Sequence, residues 1–341
     1  MSEEGALLIH VTQRLLAERF DVSVLDTARA GAWLEDRWGL LAEQGLPLGL
    51  VQGEQGFGIP LTSGLELVRL LGRYVVPLPL AETMIANALL AQAGLPVVEA
   101  PLALVPECSG IELQEREARW RAVGEAERVA WGRNAAALVV EYEGRIALVR
   151  TGFRSVETGG NLADMPRDRI IVDGPAIVAP ALGLSLLEAG ALVRAITMAG
   201  AMEVLVELTV GHVTQREQFG RALSGFQAVQ HSLARLAGEA AAASAAAGLA
   251  ADAFAHGSKE AATAIATARA RISDAAGVAI GLAHQLHGAM GFTEEHRLHR
   301  FTSALWSWRD EFGNAAWWTR RLGAQALAQS KQAYWPFVTA V

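Results

Sequence analysis

A single cysteine, Cys108, stands in 341 residues. With no second thiol, an intramolecular disulfide and a cysteine-based zinc site are excluded. Positive charge is also short, with 29 Lys and Arg against 36 Asp and Glu and a net charge of −7. The signs are mixed along the chain, so there is no basic footprint for nucleic acid or an anionic membrane. Uninterrupted apolar runs of membrane-spanning length are lacking as well. The stretch 193–210, for instance, carries Arg194, Glu203 and Glu207. The acidic start Met1-Ser2-Glu3-Glu4-Gly5 has no positively charged segment of a secretory signal. A soluble, cytoplasmic protein is the expectation. Gly and Pro are not in excess and apolar residues make up 52%, which fits a packed core in two or three structural units.

Residues 1–97 carry a helical pattern. Leu7, Leu8, Val11, Leu15 and Leu16 share one helical face, as do Trp33, Trp38, Leu40 and Leu41. A Gly-rich loop at 53–60 precedes a helix ending in Leu71-Gly72-Arg73, and the prolines of Val76-Pro77-Leu78-Pro79 exclude regular helix there. Between 98 and 178 the texture turns to short β-type runs. Residues 137–149 predict a hairpin turning at Glu143-Gly144, with a further strand at Ile170-Ile171-Val172. From 179 to 341 the pattern is again helical, with four long helices expected at 184–215, 223–255, 258–287 and 313–331. Ala-rich stretches in the second and third favour helix and permit close approach in a bundle. The expected fold class is α+β: a helical domain, a β domain and a C-terminal four-helix bundle.

The chemistry-bearing text lies in the last segment. Arg216-Glu217-Gln218-Phe219-Gly220 is followed by Phe226-Gln227, and then by Gln285-Leu286-His287-Gly288-Ala289-Met290-Gly291-Phe292. This ordered set of R-x-x-F-G, F-Q and Q-x-x-G-x-x-G-F resembles the C-terminal domain of the flavin-dependent acyl-CoA dehydrogenases. The likeness runs over essentially the whole chain, with an N-terminal domain shorter than usual. It implies an FAD cofactor and an oligomer, because in that family these elements hold FAD across a subunit interface.

The residue types suit that role. A guanidinium presents a planar fork to phosphate oxygens, so Arg216 is the candidate for the FAD pyrophosphate. Phe219 would lie against the cofactor, while Gln227 and Gln285 offer amide donors and acceptors. Gly288 and Gly291 would let backbone N–H groups approach the phosphates. Taken singly, the same residues read as a helix-end charge, a C-cap and an interhelix loop. The bundle's long, multiply apolar helices point to an oligomer interface.

Three histidines, His287, His296 and His299, crowd the same region, with Glu295 nearby. Their spacing invites a metal reading, but a convergent third ligand is not visible in the sequence and the resemblance implies no metal. Solvated or interfacial histidines are the expectation. The aromatic group Trp306, Trp308, Phe312, Trp317 and Trp318 reads as packing or subunit interface, with an acyl pocket or a flavin wall as the alternative.

Two elements of the family pattern are absent. Many members carry a catalytic Glu just before Gly-Thr; the matching position here is Phe312, before Gly313-Asn314, with Glu311 one residue earlier. Others place the Glu at the start of the first bundle helix, near Gly190 here, and Glu188 is two residues away, about 200° around a helix. The T-E-P-x-x-G-S loop and the W-I-T strand are reduced to Val105-Pro106-Glu107-Cys108-Ser109-Gly110 and Val129-Ala130-Trp131. These absences resemble the short subunits of heteromeric bacterial acyl-CoA dehydrogenases. The resemblance implies a related partner subunit, an acyl-CoA substrate, and half of an FAD site contributed to the partner. A self-sufficient homo-oligomer using Glu311 as base, and a flavin-free structural subunit, stand as the alternatives.

Overall fold

The computed structural model describes residues 2–29, 32–53, 55–293 and 296–339. Five helices come first: α1 (Glu3–Arg19), α2 (Val22–Arg29), α3 (Glu35–Glu43), α4 (Leu61–Arg73) and α5 (Leu80–Gln92). Ser2 caps α1 by accepting the Gly5 N–H at 3.1 Å, and Glu3 and Glu4 complement the dipole in its first turn. α5 is apolar nearly all round and every residue from Leu80 to Leu90 is buried. Its buried amide, Asn87, is satisfied by Pro47 and Val98 backbone groups at 2.8–3.1 Å.

Seven strands form one sheet in the order β1-β4-β5-β7-β3-β2, with β6 also on β7. They are β1 (Leu102–Val105), β2 (Ile111–Arg116), β3 (Arg119–Ala130), β4 (Ala137–Tyr142), β5 (Arg145–Val149), β6 (Phe153–Glu157) and β7 (Arg167–Pro180). The hairpin expected at Glu143-Gly144 is present, with Tyr142 opposite Arg145. Both turn residues have positive φ, 46° and 69°, the two-residue geometry that matches strand twist. Val105, Ile111, Val140, Val149 and Ile170 belong to the core of this sheet.

The remaining helices are α6 (Leu186–Gln215), α7 (Gln227–Ala255), α8 (Ala261–His287), α9 (Leu298–Trp308), α10 (Ala315–Leu327) and α11 (Lys331–Thr339). Four match the expected helices, and α9 and α11 are additions. α7 starts at Gln227 because Leu223–Gly225 forms a 3-10 turn before it. By length and composition α6 is apolar enough to cross a membrane, unlike the reading of 193–210 as too interrupted. Yet 89% of that stretch is buried within the protein, so α6 is a core helix.

The chain packs as two compact units, Met1–Leu67 with Val76–Val193, and Val68–Val75 with Arg194–Val341. The end of α4 therefore belongs with the bundle. A Cβ on Gly72 would fall 1.9 Å from the Thr197 carbonyl oxygen, and one on Gly200 2.2 Å from that of Arg69. The glycine of Leu71-Gly72-Arg73 thus permits backbone contact between two helices. Arg73 closes the same junction with ion pairs to Glu203 and Glu207, both at 2.8 Å.

Candidate functional site

α6 ends at Gln215, and Arg216 follows with its N–H on the His212 carbonyl at 2.9 Å. The chain then makes a miniature hairpin, β8 (Glu217–Gln218) paired with β9 (Arg221–Ala222). Phe219 and Gly220 form its turn, with φ of 53° and 79°. Gly220 suits such a turn, whereas a left-handed Phe219 is costly. Its ring is 89% exposed, touching only the edge of Phe226 among its ring contacts, at 6.1 Å. Arg216 is exposed, and no carboxylate pairs with it among the described residues. The cation is therefore available to an external anion.

Gln227 opens α7 and is exposed, as is Gln285 in the last turn of α8. Gly288 ends α8 with φ 61° and ψ −146°, and no atom outside its chain neighbours lies within 4 Å of where a Cβ would stand. Gly291 behaves differently. It is buried, and a Cβ there would meet the His287 Cβ and Leu298 Cδ2 at 2.9 Å. The absence of a side chain there is required by packing.

The two motif segments, about seventy residues apart in sequence, meet at one end of the bundle. The rings of His212, one turn before Arg216, and His287, directly before Gly288, stack with centroids 4.4 Å apart. His296 joins them, 4.9 Å from His287 and 6.1 Å from His212. The cluster expected from the sequence is thus recomposed: His212 enters it. His299 instead turns its Nδ1 to the His296 carbonyl at 2.7 Å, because α9 begins between the two. Glu295 lies outside the described residues. Burial holds the His287 imidazole down to about 4, helped by the neighbouring rings and opposed by the Ala283 carbonyl. Burial lowers His212 and His296 in the same direction. The rings are therefore neutral near pH 7.

Glu311 faces inward at the end of the α9 segment, its carboxylate 2.9 Å from the Arg194 guanidinium, with side chains 13% and 4% exposed. Arg194 also lies over Trp308 and Phe312 at 5.5 and 5.9 Å. Arg269, fully buried, donates to the carbonyls of Trp308, Arg309, Glu311 and Gly313 at 2.7–3.2 Å. Burial and the nearby Arg194 charge pull Arg269 down to about 9. The loop after α9 is thus fixed from inside by two arginines, and Glu311 serves as the counter-ion. Sequence reasoning missed both. The signal was a charge inside an apolar helix, since a buried guanidinium needs a partner.

Glu188, the other carboxylate considered, is a capping residue: Ser185 and Glu188 exchange hydrogen bonds at 3.0–3.2 Å at the start of α6. Trp308 and Trp318 are core, the latter donating to the Phe312 carbonyl at 3.1 Å. In the sheet, Glu107 accepts the Glu143 N–H at 3.2 Å, and Trp131 is buried in a left-handed turn after β3.

Residues 182–309 match the family model for the acyl-CoA dehydrogenase C-terminal domain. The chain is 30% identical over 304 residues to Acyl-CoA dehydrogenase IpdE2 of Mycobacterium tuberculosis (strain ATCC 25618 / H37Rv), covering 88% of this chain and 90% of that protein. The chain belongs to the acyl-CoA dehydrogenase family. Solved structures of similar fold include the Tcur3481-Tcur3483 steroid ACAD G363A variant, with TM-score 0.84 and 24% identity, covering 96% of this chain and 99% of that one. Another is the ChsE4-ChsE5 complex from Mycobacterium tuberculosis, at TM-score 0.83 and 19% identity over 97% and 99%. The arrangement of helices, sheet and helical C-terminal region is that of this oxidoreductase family.

Proposed function

We propose that this chain is one subunit of an FAD-dependent acyl-CoA dehydrogenase, supplying part of an FAD site to a related partner subunit that carries the base. The observation that carries the reading is the convergence of Arg216 and Gly288 at one end of the bundle, fixed by the His212–His287 stack. The residues fit the pyrophosphate end of FAD. An exposed guanidinium without a carboxylate partner among the described residues and an uncrowded glycine at a helix end are an anion-binding donor set. Gln227 and Gln285 would add amide contacts to polar edges of the cofactor. The chemistry FAD supplies when bound is acceptance of hydride from the β-carbon of the acyl thioester.

Removal of the α-proton needs a carboxylate free to face the substrate. Glu311 is committed to Arg194 and Glu188 to the α6 cap, which favours a base on another chain over a self-sufficient homo-oligomer. A family relative solved as the ChsE4-ChsE5 complex supports pairing of unlike chains.

The test is flavin affinity of the assembled protein with Arg216→Ala. Losing a charge-assisted phosphate contact should cost about 1.5–3 kcal/mol, roughly ten- to a hundredfold in affinity. Flavin affinity equal to the parent's would overturn the assignment.

A further inference from the structure

His212, His287 and His296 come from three separate pieces of chain: the last turn of α6, the last residue of α8, and the segment before α9. One ring nitrogen of each lies within 4.8 Å of the others. His287 is oriented with particular care. It is 4% exposed, and its Nδ1 lies 2.8 Å from the Ala283 carbonyl oxygen. A carbonyl only accepts, so Nδ1 carries the proton and Nε2 carries the lone pair. That Nε2 is buried and has no hydrogen-bond partner among the described residues. A buried, unpartnered acceptor is costly unless something occupies it.

We propose that these three imidazoles form a binding site for a divalent first-row transition ion of the zinc class. Neutral imidazole is the ligand type such ions favour, and three protein ligands with one open position is a recurring coordination set. The His287–Ala283 contact is the kind of second bond that fixes a metal-binding histidine in the ligating tautomer. Closing on an ion at about 2.0–2.1 Å brings tetrahedral nitrogens to about 3.4 Å apart. That contraction is within reach of side-chain rotation, since His212 and His296 are only partly buried. His212 makes no side-chain hydrogen bond among the described residues, so turning its ring gives up only the stack on His287. His296 has one bond to exchange, a 3.2 Å contact in which its Nδ1 accepts the Leu298 N–H. Leu298 stands at the start of α9, where water can satisfy the released N–H.

The ion would tie the end of α6, the end of α8 and the entry to α9 into one node. Arg216 follows His212 by four residues and Gly288 follows His287 directly, so the node would set the spacing of both. The site stands on the histidines alone, whether or not Arg216 meets a phosphate.

The experiment uses the full chain in the assembly in which it purifies, without a polyhistidine tag. It is stripped with chelator and titrated with Zn²⁺ by calorimetry and with Co²⁺ by visible absorption. One equivalent per chain, with the d–d bands of a tetrahedral Co²⁺ centre and a raised melting temperature, is expected. His212→Ala and His296→Ala should each weaken binding by at least about 10–100-fold, the loss seen when merely an outer partner is removed. His299→Ala should bind as the parent does. His212→Gln repeats the test should an alanine variant fail to fold. Substoichiometric binding by the parent, or affinity undiminished in the His212 and His296 variants, would overturn the site.

Discussion

Glu311 and Arg194 face each other at 2.9 Å with almost no water access. Breaking such a pair by deleting one member leaves a buried charge uncompensated, at a cost of about 3–5 kcal/mol. Glu311→Ala should therefore lower stability by roughly that amount, read by chemical denaturation of the assembly, because Arg194 is left beside Arg269. Glu311→Gln in the active assembly should lose stability and keep near-normal turnover with flavin bound. A catalytic base would give the opposite, an intact fold with a rate loss of several orders of magnitude. The side chain's direction was not legible in the sequence. Counting from Gly291 places Glu311 one position from the family's base, and only the Arg194 contact reveals that it points at a guanidinium.

Among the elements, α6 shows what a sequence pattern does and does not contain. Its length follows from an apolar run read at helical period, and its start from Ser185 and Glu188. Its neighbour Glu141 was not legible, since it lies on β4 yet accepts the Leu186 N–H at 2.8 Å. Burial raises the Glu141 carboxyl, opposed by that hydrogen bond and aided by the charges of Glu107 and Glu188. A carboxyl raised on folding contributes stability that is complete below its unfolded pKa and lost as pH rises through the folded one. Glu141→Gln keeps an acceptor for Leu186 and removes the titration. Its melting temperature relative to the parent should rise as pH goes from about 4 to about 8. A difference that is flat or falls with pH would contradict this. Gly72 belongs to the same scale: Gly72→Ala forces a Cβ onto the Thr197 carbonyl and should cost about 1–3 kcal/mol or more. An unchanged denaturation midpoint would show that α4 and α6 can separate without penalty. The motif Leu-Gly-Arg was visible in the sequence, but its cause was not, because close backbone approach between distant segments leaves no periodic trace.

For the whole molecule, the order of helical, β and helical segments could be read from changes in period, and the family from the R-x-x-F-G and Q-x-x-G-x-x-G-F segments. The histidine node could not, because His212 stands seventy-five residues before His287 and nothing in the text between them signals contact. The proposed function centres on a flavin site that this chain would build only in part. Arg216, Gln227, Gln285 and Gly288 all belong to the second unit, while Glu107 accepts the Glu143 N–H and Trp131 is buried. The most direct measurement is the visible spectrum and flavin-to-chain ratio of the protein purified alone and with a related acyl-CoA dehydrogenase subunit from its native host. A colourless chain, and a yellow complex that bleaches with an acyl-CoA, is the expected result. A chain that is yellow alone and bleaches with an acyl-CoA, or a complex that stays colourless, would contradict it.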